Sequence, residues 1–426
     1  MEELRIRGGR ALGGRVRVGG AKNAVLPVLA ACIMCREKIT LYDVPCILDV
    51  ENMLSILRTL GVKCERAGHS VEIDAGGADC FSMPEHLSKQ LRSSIFMMGS
   101  ILTRFGRANV TYPGGCEIGL RPIDLHLKGL QALGVDIREE HGMIYCDGAR
   151  MRGGEVHLDF PSVGATENVM MAAVMSEGET RIHNAAREPE IVDLARFINA
   201  MGGCVSGAGG PTVTIKGVRQ LHGCEFTLMP DRIVAGTLMC AAAITRGDVL
   251  LDNVRAGDLM DVIDKLRGAG CEIDCAGESM RVRAHDIGPL RAYTQPYPGF
   301  PTDMQAQMMA LACTSRGTSM IVENVFESRF AHAAQLKRMG ADIWLHDRTA
   351  VIRGGGLQGA RVTARDLRGG AALVIAGLAA RGETHVDNIC VIDRGYERIE
   401  DMLGALGADI ARVEREDMGA ALNARA

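Results

Sequence analysis

Aromatic residues make up only 4% of the 426-residue chain, with a single tryptophan, so a core has to be packed from Ala, Val, Leu, Ile and the 23 methionines. Neither sign of charge dominates. Lys and Arg number 48 against 52 Asp and Glu, a net charge of −4, which excludes a global basic field for nucleic acid or an anionic membrane. Any anion site must be local. Apolar runs are short: Ala24 to Met34, which contains Pro27, falls well below the ~20 residues needed to span a bilayer. The opening Met1-Glu2-Glu3-Leu4-Arg5 lacks the apolar stretch of a secretory signal. Fourteen cysteines are too few for a disulfide scaffold of this length; they read as reduced thiols, and the expected location is the cytoplasm.

What the chain has is internal repetition. A helix-end phrase centred on a glycine recurs six times, at Gly61, Gly134, Gly202, Gly270, Gly340 and Gly407, spaced by roughly 70 residues. An amphipathic stretch precedes each glycine and a short alternating strand follows, so the glycine reads as a helix stop. In the first five copies a second strand follows, ending the unit in a hairpin: Val71 to Ile73, Met143 to Tyr145, Val213 to Ile215, Met280 to Val282 and Ala350 to Ile352. The sixth lacks it, yet Leu4-Arg5-Ile6-Arg7-Gly8 resembles Ala350-Val351-Ile352-Arg353-Gly354, so the N-terminal strand is expected to complete the sixth module. Upstream in each module lies a helix rich in small residues: 24–34, 95–103, 167–175, 233–245, 304–314 and 371–380. The unit reads β-α-β-α-β-β. The expected fold class is α/β, with two three-module domains, residues 21–229 and residues 1–20 plus 230–426.

Aligning the modules brings unusual residues into two equivalent loops. Before the small-residue helix stand Lys22-Asn23, Arg92, Ser162-Val163-Gly164, Asp231-Arg232, Asp303 and Asp366-Leu367-Arg368; after the middle strand stand Cys116 with Arg121, Arg187, Glu327 with Arg329, and Asp393-Arg394. Both loops open helices, whose unpaired N–H groups and positive dipole ends favour anions. Each residue alone is better read as an ordinary cap or a solvated arginine; their clustering at equivalent loops points to a site in a cleft between the domains. Gly19-Gly20-Ala21-Lys22-Asn23 lacks the spacing of a Walker loop. Gly354-x-Gly356-x-x-Gly359 is followed by a strand pattern, which rejects a dinucleotide fold. Cys32-x-x-Cys35 lies in an apolar helix without a matching ligand pair, and no cluster at metal-ligand spacing is evident. Cys116 stands in the glycine-bracketed loop Tyr112-Pro113-Gly114-Gly115-Cys116 near Arg121, where a thiol is either inert or a proton donor shifted toward thiolate.

The segments Gly20-Ala21-Lys22-Asn23-Ala24, Pro113-Gly114-Gly115-Cys116, Arg121 to His126, Ser162 to Thr166, Gly299 to Gln307, Asp366-Leu367-Arg368 and Ile392 to Glu397 together resemble the UDP-N-acetylglucosamine enolpyruvyl transferases, over essentially the whole chain. The resemblance implies two inside-out α/β barrels, each of three β-α-β-α-β-β units. It also implies transfer of an enolpyruvyl group from phosphoenolpyruvate to UDP-N-acetylglucosamine, an early step of peptidoglycan synthesis, with no cofactor or metal. Such chemistry needs a base for the hydroxyl, an acid for the vinyl carbon and fixed cations for phosphate and carboxylate.

By the same resemblance Cys116 is the proton donor and Asp303 the base; the glycine-flanked loop and the cations for the substrate phosphate make Cys116 the expected target of phosphonate epoxides. Lys22, Asn23, Arg121 and Arg394 hold phosphoenolpyruvate. Arg92, Arg121, Pro122, Ile123, Asp124, Leu125, Ser162, Val163, Gly164, Asp303 and Val325 hold the nucleotide sugar, while Asp366, Arg368, Glu327 and Arg329 order the cleft. Phe160 stands where many members carry Lys. The competing expectations are a 5-enolpyruvylshikimate-3-phosphate synthase, which lacks the Pro-Gly-Gly-Cys loop, and a catalytically silent repeat scaffold.

Overall fold

A computed structural model of the chain describes residues 2–84, 87, 95–112 and 123–414. It divides into two compact units. One comprises Gly19–Asp231 with Gln295–Gly299; the other comprises the described residues of Met1–Val18, Arg232–Thr294 and Phe300–Ala426. The sequence boundaries differ from these by two residues at each crossing, and the sequence does not signal the assignment of Gln295–Gly299.

Among the described residues the first unit carries three sheets, two four-stranded and one three-stranded, and the second carries three four-stranded sheets. The repeat is visible in their pairing. In the module around Gly340, the strand Thr318–Val322 runs parallel to Arg291–Tyr293 and antiparallel to Thr349–Arg353, which forms a hairpin with Asp342–His346. The N-terminal strand Glu2–Arg7 lies between Glu383–Asp387 and Asp409–Glu414, antiparallel to both, and completes the sixth sheet. Two parallel edge strands come from far along the chain: Gly13–Arg17 beside Asp248–Asp252, and Glu225–Thr227 beside Ile39–Tyr42.

All six repeat glycines adopt positive φ, between +85° and +105°. That left-handed conformation ends the amphipathic helices Leu48–Thr59, Asp124–Ala132, Pro189–Ala200, Met260–Gly268, Ala333–Arg338 and Ile399–Ala405, and a side chain there would strain the backbone. The small-residue helices lie inside each unit. Every residue of Arg232–Ile244 is buried, and in its unit this helix, Gln305–Ala312 and Leu367–Ala379 pack against one another. In the other unit Met97–Phe105 packs against both Val163–Ala173 and Lys22–Cys32. Small residues let the helix backbones approach: a Cβ on Gly99 would meet the Asn168 carbonyl oxygen at 2.2 Å.

Four of these helices begin earlier than the apolar pattern predicts, taking in Lys22-Asn23, Val163 to Thr166, Arg232 and Leu367 to Gly370. The residues expected in the preceding loops thus occupy first helical turns. Their polar character hides the helix start from periodicity, while tertiary partners make the burial tolerable. The segment after Gly359 is the strand Arg361–Thr363, where a dinucleotide motif would require a helix.

Candidate active site

In the unit containing residues 19–231, the chemistry-bearing residues gather at helix starts. Lys22 opens its helix without a side-chain cap from Ala21; instead its backbone N–H donates to Asp231 Oδ2 at 2.9 Å. Asp231 N–H donates in turn to the Gly19 carbonyl, and Ala21 N–H to that of Met229. Gly20 makes this fastening possible, because a Cβ there would lie 1.9 Å from the Asp43 carbonyl oxygen. The Lys22 ammonium sits 3.1 Å from Asp49 Oδ2, a fully buried carboxylate that no motif in the sequence marks. A paired, largely buried lysine offers a fixed positive charge rather than a wandering one. Asn23 follows in the same first turn.

Ser162 caps the helix Val163–Ala173, its Oγ accepting from Ala165 N–H at 3.3 Å. Gly164 faces His126, whose ring would lie 2.9 Å from a Cβ. His126 Nδ1 accepts from Asn168 Nδ2 at 3.0 Å, and Asn168 also donates to the Ile95 carbonyl and accepts from Gly99 N–H. One buried amide therefore ties together segments 95–99, 123–126 and 162–168, and with them Ile123, Asp124, Leu125, Val163 and Gly164. Burial pushes the His126 imidazole down to about 4, the Asp124 charge opposing the shift only in part. Arg92, Cys116, Arg121 and Pro122 lie outside the described residues.

In the other unit Asp303 is the centre of an ion network. Its Oδ1 accepts from Arg329 Nη2 at 2.7 Å and its Oδ2 from Arg368 Nη2 at 3.1 Å. Both guanidiniums are 3% exposed and Asp303 is 24% exposed, so two buried cations orient one reachable carboxylate. Arg329 also donates to Thr302 Oγ1, which donates to Glu323 Oε2. Glu323, buried, accepts further from Thr294 Oγ1 and from the backbone N–H groups of Val325 and Phe326, fixing the turn that carries Val325. No sequence signal marked Glu323; an acidic residue after a buried strand end was its only trace.

Asp366 caps the Leu367 helix, accepting from Gly369 N–H at 2.8 Å, and so aims Arg368 from the first turn. The neighbouring His332 is buried, its pKa lowered to about 4 by desolvation, which outweighs the favourable Asp366 charge. Glu327 is exposed and lies 3.6 Å from Arg348, so its partner is not the Arg329 with which the sequence grouped it. Arg394 is half-buried in the turn after Ile389–Val391, beside Asp393, which Arg412 grips at 2.7 Å while also binding Glu400.

Of the cysteines in the described residues, Cys32, Cys35, Cys146, Cys240, Cys271 and Cys313 are buried, with thiols that burial makes harder to ionise, whereas Cys46, Cys204, Cys275 and Cys390 are exposed. No helix among the described residues is long and apolar enough to cross a membrane.

The family profile of EPSP synthase (3-phosphoshikimate 1-carboxyvinyltransferase) matches residues 6–403. The chain belongs to this carboxyvinyltransferase family. Among its relatives are proteins named UDP-N-acetylglucosamine 1-carboxyvinyltransferase: number 2 of Carboxydothermus hydrogenoformans, 50% identical over 97% of this chain and all of that one, and that of Sorangium cellulosum, 49% identical over 98% of this chain and all of that one. A third, number 2 of Caldanaerobacter subterraneus subsp. tengcongensis, is 47% identical over 97% of this chain and all of its own length. The carboxyvinyltransferase fold also agrees with solved structures. The enolpyruvyl transferase NikO from Streptomyces tendae superposes with TM-score 0.87 at 24% identity, covering 97% of this chain and 99% of its own. EPSP synthase from Acinetobacter baumannii gives 0.74 at 18% identity, covering 97% and 100%.

Proposed function

We propose that this protein transfers the enolpyruvyl group of phosphoenolpyruvate to the 3-hydroxyl of UDP-N-acetylglucosamine with release of phosphate, in the cytoplasm, as the first committed step of peptidoglycan synthesis. The observation that carries the reading is the near full-length identity of 47–50% to carboxyvinyltransferases named for that acceptor. It is supported by the motif set Lys22-Asn23, Cys116, Arg121, Asp303 and Arg394.

In this reading Asp303, oriented by Arg329 and Arg368, takes the proton of the sugar hydroxyl while that oxygen bonds to C2 of phosphoenolpyruvate. Cys116 gives a proton to C3, producing a tetrahedral adduct that still carries phosphate. Loss of a C3 proton and of phosphate then restores the double bond on the sugar. Cys116 also forms a covalent adduct with phosphoenolpyruvate, and a phosphonate epoxide alkylates it. Lys22, Asn23, Arg121 and Arg394 hold the phosphate and carboxylate, where fixed cations offset charge without reorganising. Arg92, Arg121 to Leu125, Ser162 to Gly164 and Val325 hold the nucleotide sugar, and Asp366, Arg368, Glu327 and Arg329 order the site.

Phosphate release from phosphoenolpyruvate in the presence of UDP-N-acetylglucosamine or 3-phosphoshikimate tests the assignment. Release with the nucleotide sugar alone is expected. Release only with 3-phosphoshikimate assigns the other family activity, and none with either acceptor assigns a silent scaffold.

A further inference from the structure

In the sheet of the third module, two parallel strands place three metal-ligating side chains on one face. Glu155 and His157 are alternate residues of the strand Glu155–His157, and His183 of Glu179–His183 stands directly opposite His157. The two imidazoles stack with centroids 4.5 Å apart and planes 14° from parallel. His183 Nε2 lies 2.5 Å from Glu155 Oε2, and one ligand atom from each of the three residues lies within 4.8 Å of the others. The sequence shows no such cluster, because the third ligand comes from 26 residues beyond His157 and from a strand whose parallel register only the fold supplies.

We propose that Glu155, His157 and His183 form a surface site for a divalent transition-metal ion that cross-links these two strands. The donor set decides the class of ion. Two imidazoles and one carboxylate suit Zn²⁺, Ni²⁺, Co²⁺ or Cu²⁺, whereas Mg²⁺ and Ca²⁺ select oxygen-only sites. Bond lengths of about 2.0–2.2 Å require ligand atoms roughly 3.3–3.6 Å apart in a tetrahedron. The His183–Glu155 contact of 2.5 Å has to open by about 1 Å, which exposed or half-buried side chains achieve by rotation.

The nearest competing cation is Arg181, whose Nη1 is 3.8 Å from Glu155 Oε1, but its closer partner is Glu179 at 2.8 Å. Three protein ligands leave the remaining positions to water. The Glu155–His157 strand has only three residues and lies at the edge of its sheet, so a metal staple has a definite structural effect there. The transfer reaction proposed above uses none of these residues.

The test uses the untagged full-length chain with Co²⁺ and Ni²⁺ alone, followed by titration calorimetry and visible spectroscopy. One equivalent is expected to bind, with d–d bands but no thiolate-to-metal charge-transfer band, which separates this site from the cysteines. His157→Ala and His183→Ala should each weaken binding by more than about tenfold, the loss that even changes outside the ligand shell produce. Glu155→Gln should weaken it as well. Metal should raise the melting temperature of the natural chain but not of either histidine variant. No binding at millimolar metal overturns the proposal. So do a thiolate band, a loss in only one histidine variant, or unchanged binding in both.

Discussion

Asp303 and Arg368 are joined across 65 residues of sequence by a 3.1 Å bond from Nη2 to Oδ2, while Arg329 holds the other oxygen at 2.7 Å. Both guanidiniums are only 3% exposed, so in the proposed reaction their effect passes through the carboxylate they orient. Arg368→Lys and Arg329→Lys replace a planar fork by a point charge and should lower kcat by about 10²-fold, with KM for the nucleotide sugar changing less. Asp303→Asn should lower kcat by about 10²–10⁴-fold. Steady-state kinetics with both substrates varied separates these outcomes.

Glu323 accepts four hydrogen bonds without touching solvent. Glu323→Gln presents an amide donor to groups that are themselves donors, and should cost about 1–3 kcal/mol of stability. Because the same carboxylate fixes the turn of Val325, KM for the nucleotide sugar should rise in the same variant. Urea denaturation and the KM values measure the two effects together.

The repeat was legible because glycine stops and alternating hairpins are local signals: each of the six glycines needs positive φ, and a sequence records that directly. The completion of the sixth sheet by Leu4 to Arg7 was legible from its likeness to Ala350 to Arg353. Three-residue edge strands such as Glu225–Thr227 were not, since they are too short for a period and pair with strands far away in sequence. Site residues followed the same division. Lys22 and Asp303 stood out as charges at helix starts, whereas Asp49 acts through a buried ion pair and Asn168 and Glu323 through buried hydrogen bonds that no spacing announces.

Two buried histidines make stability depend on pH. His126 and His332 have pKa values depressed from 6.5 to about 4 in the folded chain, chiefly by desolvation. The unfolded chain therefore binds more protons between pH 6.5 and 4, so stability is full above about 6.5 and declines as pH falls through that window. The loss is at most about 3 kcal/mol per histidine. His126→Gln should flatten the dependence by up to one proton, measured as the slope of unfolding free energy against pH.

Cys116 should be the thiol that a phosphonate epoxide modifies fastest, ahead of the exposed Cys46, Cys204, Cys275 and Cys390. The cations proposed to hold phosphate would concentrate the phosphonate beside it. Cys116→Ser should escape inactivation and lose most turnover, and Cys116→Asp should escape while retaining turnover, because a carboxyl also carries the proton. Peptide mass spectrometry after limited labelling reads the site; modification concentrated on another cysteine would contradict the assignment.

The central claim, addition of the sugar 3-oxygen to C2 with protonation and deprotonation at C3, is tested most directly by running the reaction in D₂O with phosphoenolpyruvate and UDP-N-acetylglucosamine and examining the product by NMR. A 3-O-enolpyruvyl ether is predicted, with deuterium in its vinyl methylene and one phosphate released per ether formed. An ether at another hydroxyl, a vinyl group without deuterium, or phosphate release without the nucleotide sugar would contradict it.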